Sequence, residues 1–165
     1  MPDNPANKPP EQALVVHPVF TNVPKAQRGD VVQAVEEACG LAEAIQLDVQ
    51  DSLQANVSRI QAGYFFGKGT RQMIADVVDE QKPDIVMVNH TLSPVQQRNL
   101  EKELKVKVID RTGLILEIFG ARAQTKEGRI QVELAQLEYQ KSRLVKSWSH
   151  LERQRGGQSF VGGPG

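Results

Sequence analysis

The sequence predicts an α/β fold: a small four-stranded, mainly parallel sheet flanked by helices, followed by a long coiled-coil-like helical arm. Three observations carry that reading. Short Val- and Ile-rich runs alternate with helix-period patterns through residues 13–110, which implies crossover connections and therefore parallel strands. Residues 84–88 are nearly all apolar after Asp84, as in a strand covered on both faces. From Ile130 onward, apolar residues recur in steps of four and three, which is heptad spacing.

The elements follow in order. Residues 1–12 hold Pro2, Pro5, Pro9 and Pro10 among polar side chains and read as a disordered tail. Residues 13–20 are Val-rich, with Pro18 near the end, and form a first strand. Asp30 caps a helix that buries Val31, Val35 and Ala38 and closes at Gly40. Ile45, Leu47 and Val49 alternate with polar residues, which places a second strand there and leaves 56–63 as loop. A helix from Thr70 buries Met73, Ile74, Val77 and Val78. Ser93 before Pro94 starts another, with Val95, Leu100 and Leu104 inside, and residues 106–109 make the fourth strand.

The domain plan is an α/β unit at 13–111, a helical arm at 112–155 and a glycine-rich loop at 156–165. The arm is expected to break near 124–128, since Gly120 and Gly128 weaken a single uninterrupted helix and Thr125 can cap a new one from Lys126. Its seam is Ile130, Leu134, Leu137, Leu144, Trp148 and Leu151, with Lys141 at one seam position. Such a stripe needs a partner, since apolar surface left in water costs roughly 25 cal/mol for each Å².

The net charge of zero conceals an asymmetry. Up to Ala121 there are 12 Lys and Arg against 16 Asp and Glu; from Arg122 on there are 8 against 4. Lys141, Arg143, Lys146, Arg153 and Arg155 face only Glu152 near the arm's end, which suits an anionic partner or an ordinary solvated face. The glycines at 156, 157, 162, 163 and 165 read either as a linker or as bare backbone that approaches RNA. Trp148 is expected to pack on another helix rather than to stack on a base.

Little in the residues points to catalysis. The segment from Gly63 to Thr70 evokes a phosphate cradle, but three residues separate Gly63 from Gly67 where a P-loop needs four, and Gly69 replaces the Ser or Thr expected after Lys68. Parallel sheets bind ligands beyond their carboxyl ends, here Asn89, His90 and Thr91, then Asp110, Arg111 and Thr112. The alternative is local structure, with Ser93 and Thr112 capping helices and Asp110 and Arg111 pairing nearby. No carboxylate pair, activated nucleophile or metal-type spacing emerges, and the single Cys39 reads as a small buried hydrophobe. No apolar run reaches the roughly 20 residues of a membrane helix, and no signal peptide opens the chain, so the expected location is cytoplasmic.

Five runs together resemble the HflX family of translational GTPases: YFFGKG (64–69), HTLSPVQQRNLE (90–101), VIDRTGLILEIF (108–119), GRIQVELAQL (128–137) and WSHLERQRGG (148–157). The resemblance implies an α/β amino-terminal domain, two antiparallel helices joined by a glycine-rich loop, and then a GTP-binding domain. It implies a partner, the large (50S) ribosomal subunit with its 23S rRNA near the peptidyl transferase centre, and a role in ribosome splitting or rescue under stress. By position, residues 130–151 correspond to the outgoing helix and 153–165 to the start of the loop. The family's phosphate loop, magnesium ligand and guanine-specificity motif have no counterpart in these residues, so GTP and Mg²⁺ are expected of full-length relatives and no cofactor of this chain. A nucleotide-binding α/β domain is the enzyme-like alternative. A monomer is expected, with a helix-mediated dimer through the unpaired seam as the structural alternative.

Overall fold

A computed structural model describes residues 9–143, the side chains of 142 and 143 excepted. Four parallel strands form one sheet in the order β2-β1-β3-β4, where β1 is Gln12–Phe20, β2 Asp48–Val57, β3 Ile85–Val88 and β4 Lys107–Asp110. The crossovers are α1 (Val31–Ala44), α2 (Lys68–Gln81) and α3 (Pro94–Leu104). α4 (Arg111–Arg122) follows β4 directly, and α5 (Lys126–Arg143) comes last.

Strand alternation divides the core in two. Leu14, Val16, Val86, Val88 and Val108 face α2 and α3, meeting Ile74, Val78, Leu100 and Leu104. Ala13, Val15, Ile85 and Met87 face α1 and α4, meeting Ala38, Ala42, Leu114 and Ile118. β3 is buried at every residue, as expected for the short apolar run.

The segment between β2 and α2 plugs the first core rather than cradling a phosphate. Phe65 and Phe66 are both buried, with Phe65 in the left-handed region at φ 66°. A Gln61–Phe65 backbone bridge closes the loop. Arg71 locks it by stacking 4.1 Å above Tyr64, donating to the Phe66 carbonyl at 2.8 Å and pairing with Glu103 at 2.6 Å.

Several boundaries differ from the sequence reading. β2 spans Asp48–Val57, not 45–49, because Ile45 terminates α1 and Leu47 packs in the loop; half of its residues lie exposed on a sheet edge. α1 runs through Gly40 to Ala44, the packing of Ala38 and Ala42 on the sheet outweighing the roughly 1 kcal/mol that a glycine costs within a helix. α2 begins at Lys68, two residues before Thr70, whose hydroxyl donates to the Asn56 carbonyl instead. Met73 and Val95, expected inside, are 39% and 46% exposed, since the buried arc of each helix is narrower than its apolar one. Ser93 caps α3 in a reciprocal capping box with Gln96.

β4 is an edge strand, but its outward backbone is not bare. The Gln97 amide donates to the Val108 carbonyl at 2.6 Å, and the Val108 N–H donates to Glu101 at 3.0 Å. α3 thus completes the ladder with side chains. α4, which the sequence placed in the arm, lays Leu114 and Ile118 on the sheet. A three-residue elbow then leads to α5, where Thr125 accepts from the Gly128 N–H at 3.0 Å.

Candidate functional site

In the order β2-β1-β3-β4 the chain leaves β1 toward one edge and returns to build β3 and β4 on its other side. The carboxyl ends of β1 and β3 therefore flank the switch point, where open parallel sheets bind ligands. β1 runs four residues past its last partner in β3, because Val16 pairs with Val88 and β3 stops there. The overhang opens a crevice of about 250 Å³ lined by His17, Phe20, Val23, Arg28, Asn89 and His90, among others.

The polar groups of the crevice are tied to one another. The Asn89 amide donates to His17 Nδ1 at 3.0 Å, which requires that nitrogen to be unprotonated. Burial, then the positive charge of Arg111, then His90 push the His17 pKa below its ordinary value. Arg111 reaches Asn89 Oδ1 at 3.5 Å and Glu37 at 3.7 Å. Arg28 donates through Nε to the Val23 carbonyl at 2.8 Å and through its terminal nitrogen to the Thr21 carbonyl at 3.3 Å. His90 packs against Phe20 and Phe65, with ring centroids 5.5 and 4.9 Å apart, and contacts the Thr91 carbonyl at 2.9 Å.

Asn89, His90 and Arg111, foreseen as strand-end residues, do meet here. His17 and Arg28 were missed. His17 sits in an apolar strand run, and Arg28 precedes a helix without any motif, so no signal in the residues themselves marked either. Asp110, not Thr112, caps α4, accepting from the Gly113 N–H at 2.9 Å. Its other oxygen accepts from the Leu92 N–H at 2.8 Å, so it ties two strand-end loops together. Lys68 is exposed at the start of α2, whose cap, Gly67, has no side chain to offer. Cys39 is half-buried, and burial followed by Glu43 and Glu36 raises its pKa, which keeps it a thiol. Among the described residues, no group of three or more His, Cys, Asp or Glu is placed to hold a metal, and no helix is long and apolar enough to cross a membrane.

The second candidate surface is α5. One face, with Val132, Gln136 and Tyr139, rests on α4, where Gln136 donates to the Leu116 carbonyl at 3.3 Å. On the other, Ile130, Leu134 and Leu137 are 54%, 58% and 61% exposed. Lys141 is exposed near the helix end, and Arg143 is its last residue. The remaining foreseen positions, Leu144, Lys146, Trp148, Leu151, Arg153, Arg155, Gly156, Gly157, Gly162, Gly163 and Gly165, lie outside the described residues.

Comparison with known proteins matches these surfaces to a class. Residues 32–120 match the family model of the N-terminal region of a GTP-binding GTPase, and 122–165 match the model of its middle region. Strands β2, β3 and β4 fall in the first region and α5 in the second, whereas β1 and most of the crevice lining, from His17 to Val31, precede both. The chain belongs to the HflX family of GTPases. It is 46% identical over 156 residues to the GTPase HflX of Magnetococcus marinus, covering 94% of this chain and 35% of that one. It is 44% identical over 147 residues to the GTPase HflX of Escherichia coli, covering 89% and 33%. The chain spans about a third of the length of these relatives. A GTP-binding protein from the archaeon Sulfolobus solfataricus, solved in complex with GDP, shares the fold with a TM-score of 0.58 at 22% identity, over 92% of this chain and 43% of that one.

Proposed function

We propose that this chain is the ribosome-binding portion of an HflX-type GTPase, docking on the large ribosomal subunit in ribosome splitting or rescue under stress. The observation that carries the reading is α5: a helix with one face seated on the domain and an apolar stripe in water, leading into the most basic part of the sequence. In this reading the stripe receives a second helix, and Lys141, Arg143, Lys146, Arg153 and Arg155 approach phosphates of 23S rRNA near the peptidyl transferase centre. The glycines from 156 on bring bare backbone close to the RNA. GTP and Mg²⁺ belong to the parts of the relatives that this chain does not span, and the working compartment is the cytoplasm.

Co-sedimentation with purified large subunits across a salt series tests the proposal. Saturable binding that weakens as salt rises, and weakens further on charge reversal of Arg153 and Arg155, is the expected result. Absence of binding at low salt, or indifference to the charge reversal, overturns it.

The crevice favours a second reading, in which the α/β domain binds a nucleotide. Its position at the switch point supports this, although about 250 Å³ lies just under the roughly 300–1,000 Å³ typical of ligand pockets. Equilibrium binding of ATP and GTP is the test: no saturable uptake excludes this reading.

A further inference from the structure

A carboxylate taken wholly out of water must be met by donors. Asp110 is fully buried, and two of its donors, the N–H groups of Leu92 and Gly113, come from the sandwich itself. A third comes from the arm: the Tyr139 hydroxyl donates to Asp110 Oδ1 at 2.5 Å. The same hydroxyl lies 3.2 Å from Gln97 Oε1, and the Gln97 amide nitrogen is committed to the β4 edge. One phenol therefore joins α5 to α3, β4 and the cap of α4.

The packing around it leaves no slack. A Cβ on Gly113 would stand 2.7 Å from the Tyr139 oxygen and 2.9 Å from the adjoining ring carbon. One heptad later, a Cβ on Gly120 would stand 2.8 Å from the Gln136 amide nitrogen. α4 thus offers two bare patches of backbone, and two residues of α5 settle on them. The elbow between the helices is only residues 123–125, pinned by the Thr125 cap and by Arg129 donating to the Ala123 carbonyl at 3.3 Å.

We infer that Tyr139 is a positioning residue, a latch on Asp110 that fixes the direction in which α5 leaves the α/β sandwich. The latch concerns this chain's own geometry. Its consequence, that the apolar stripe and basic end are presented to the large subunit in one orientation, rests on the docking function proposed above.

Spin labels at Glu80→Cys on α2 and Glu138→Cys on α5, in a Cys39→Ser background, report the arm's direction in the whole chain. The parent gives one narrow distance distribution. Tyr139→Phe, which keeps the ring and removes the hydroxyl, broadens it, and Gly113→Ala, which keeps the hydroxyl and displaces the ring, broadens or shifts it. In hydrogen exchange, the α5 amides of Tyr139→Phe open about ten- to a hundredfold more often, as expected for loss of a hydrogen bond to a charged group, with β1 and β3 unchanged. Narrow, unmoved distributions in both variants assign the direction to the elbow and overturn the inference. Loss of protection spread equally over α5 and the strands also overturns it, by making Tyr139 an ordinary stability residue. Subunit co-sedimentation of the unsubstituted chain is read separately: if it fails while the latch variants behave as expected, the docking proposal falls and the latch stands.

Discussion

The sandwich and the arm are held by different physics. In the sandwich, Phe65, Phe66, Ile74, Leu92 and Leu100 lie within 1% of full burial, and each position is fixed by neighbours on several elements. In α5, Ile130, Leu134 and Leu137 remain more than half exposed, and the helix is seated by two glycine patches, two side-chain hydrogen bonds to Asp110 and the Leu116 carbonyl, and contact with Gln97. Burial makes the first region cooperative. The second rests on Val132 and a handful of polar contacts, while its stripe of Ile130, Leu134 and Leu137 stays largely in water, so substitutions there should separate stability from presentation.

The largest effect belongs to the sandwich. Phe66→Ala is expected to cost about 3–5 kcal/mol in urea unfolding, the usual result for emptying a buried aromatic site. A loss below about 1 kcal/mol would mean that the plugging loop is peripheral.

Next comes pH, which should act on the sandwich and spare the arm. Because the folded state depresses the His17 pKa, neutral His17 contributes stability above its ordinary value of about 6.5, and this is lost as pH falls through the depressed value. Glu101 behaves oppositely: burial raises its pKa despite the Val108 N–H and Lys107, so its contribution is complete below the ordinary carboxylate range and lost as pH rises. Melting temperatures from pH 4 to 8, roughly bracketing both ordinary values, should show a shallower acid-side loss in His17→Gln and a higher neutral-side value in Glu101→Gln. Identical profiles for all three proteins would remove both assignments.

The smallest effect is expected on the exposed stripe. Leu134→Ser should change stability by less than about 0.5 kcal/mol, yet weaken any association that uses this face. Light scattering over a concentration series completes the test: a dimer that dissociates in Leu134→Ser assigns the stripe to self-pairing, and a monomer throughout leaves it for another helix.

What the sequence disclosed follows the same division. β1 and β3 were legible because burial on both faces enforces apolar runs, β4 because Val106, Val108 and Ile109 form a short β-branched stretch after a helix, and α3 because Ser93-Pro94 is a strong start signal. β2 was misplaced because half of Asp48–Val57 faces water, so its alternation is diluted by Gln50, Asp51, Gln54 and Asn56, and a register irregularity near Ala13 and Leu14 blurs it further. On α5, heptad spacing drew attention to Ile130, Leu134 and Leu137, which remain more than half exposed. The docked face was obscure because Gln136 and Tyr139 are polar and their partners are absences: Gly120 reads as a helix weakness and Gly113 carries no signal, so neither reads as a seat. In the crevice, Asn89, His90 and Arg111 were legible from the carboxyl-end rule. His17 was not, since only the strand order reveals that β1 lies beside the switch point.

The side-chain completion of β4 also bears on what happens when two copies collide. A sheet grows by accepting a stranger's strand at an open edge, and aggregation is that growth without end. With the Val108 N–H and carbonyl already taken by Glu101 and Gln97, an incoming strand on that side meets no free pairing groups at the centre of the edge. On the opposite margin, β2 places Asp48 and Asp51 in water, where a second copy would bring like charges together. One margin is refused by occupancy and the other by repulsion, so neither edge of the sheet favours growth by a second copy's strand.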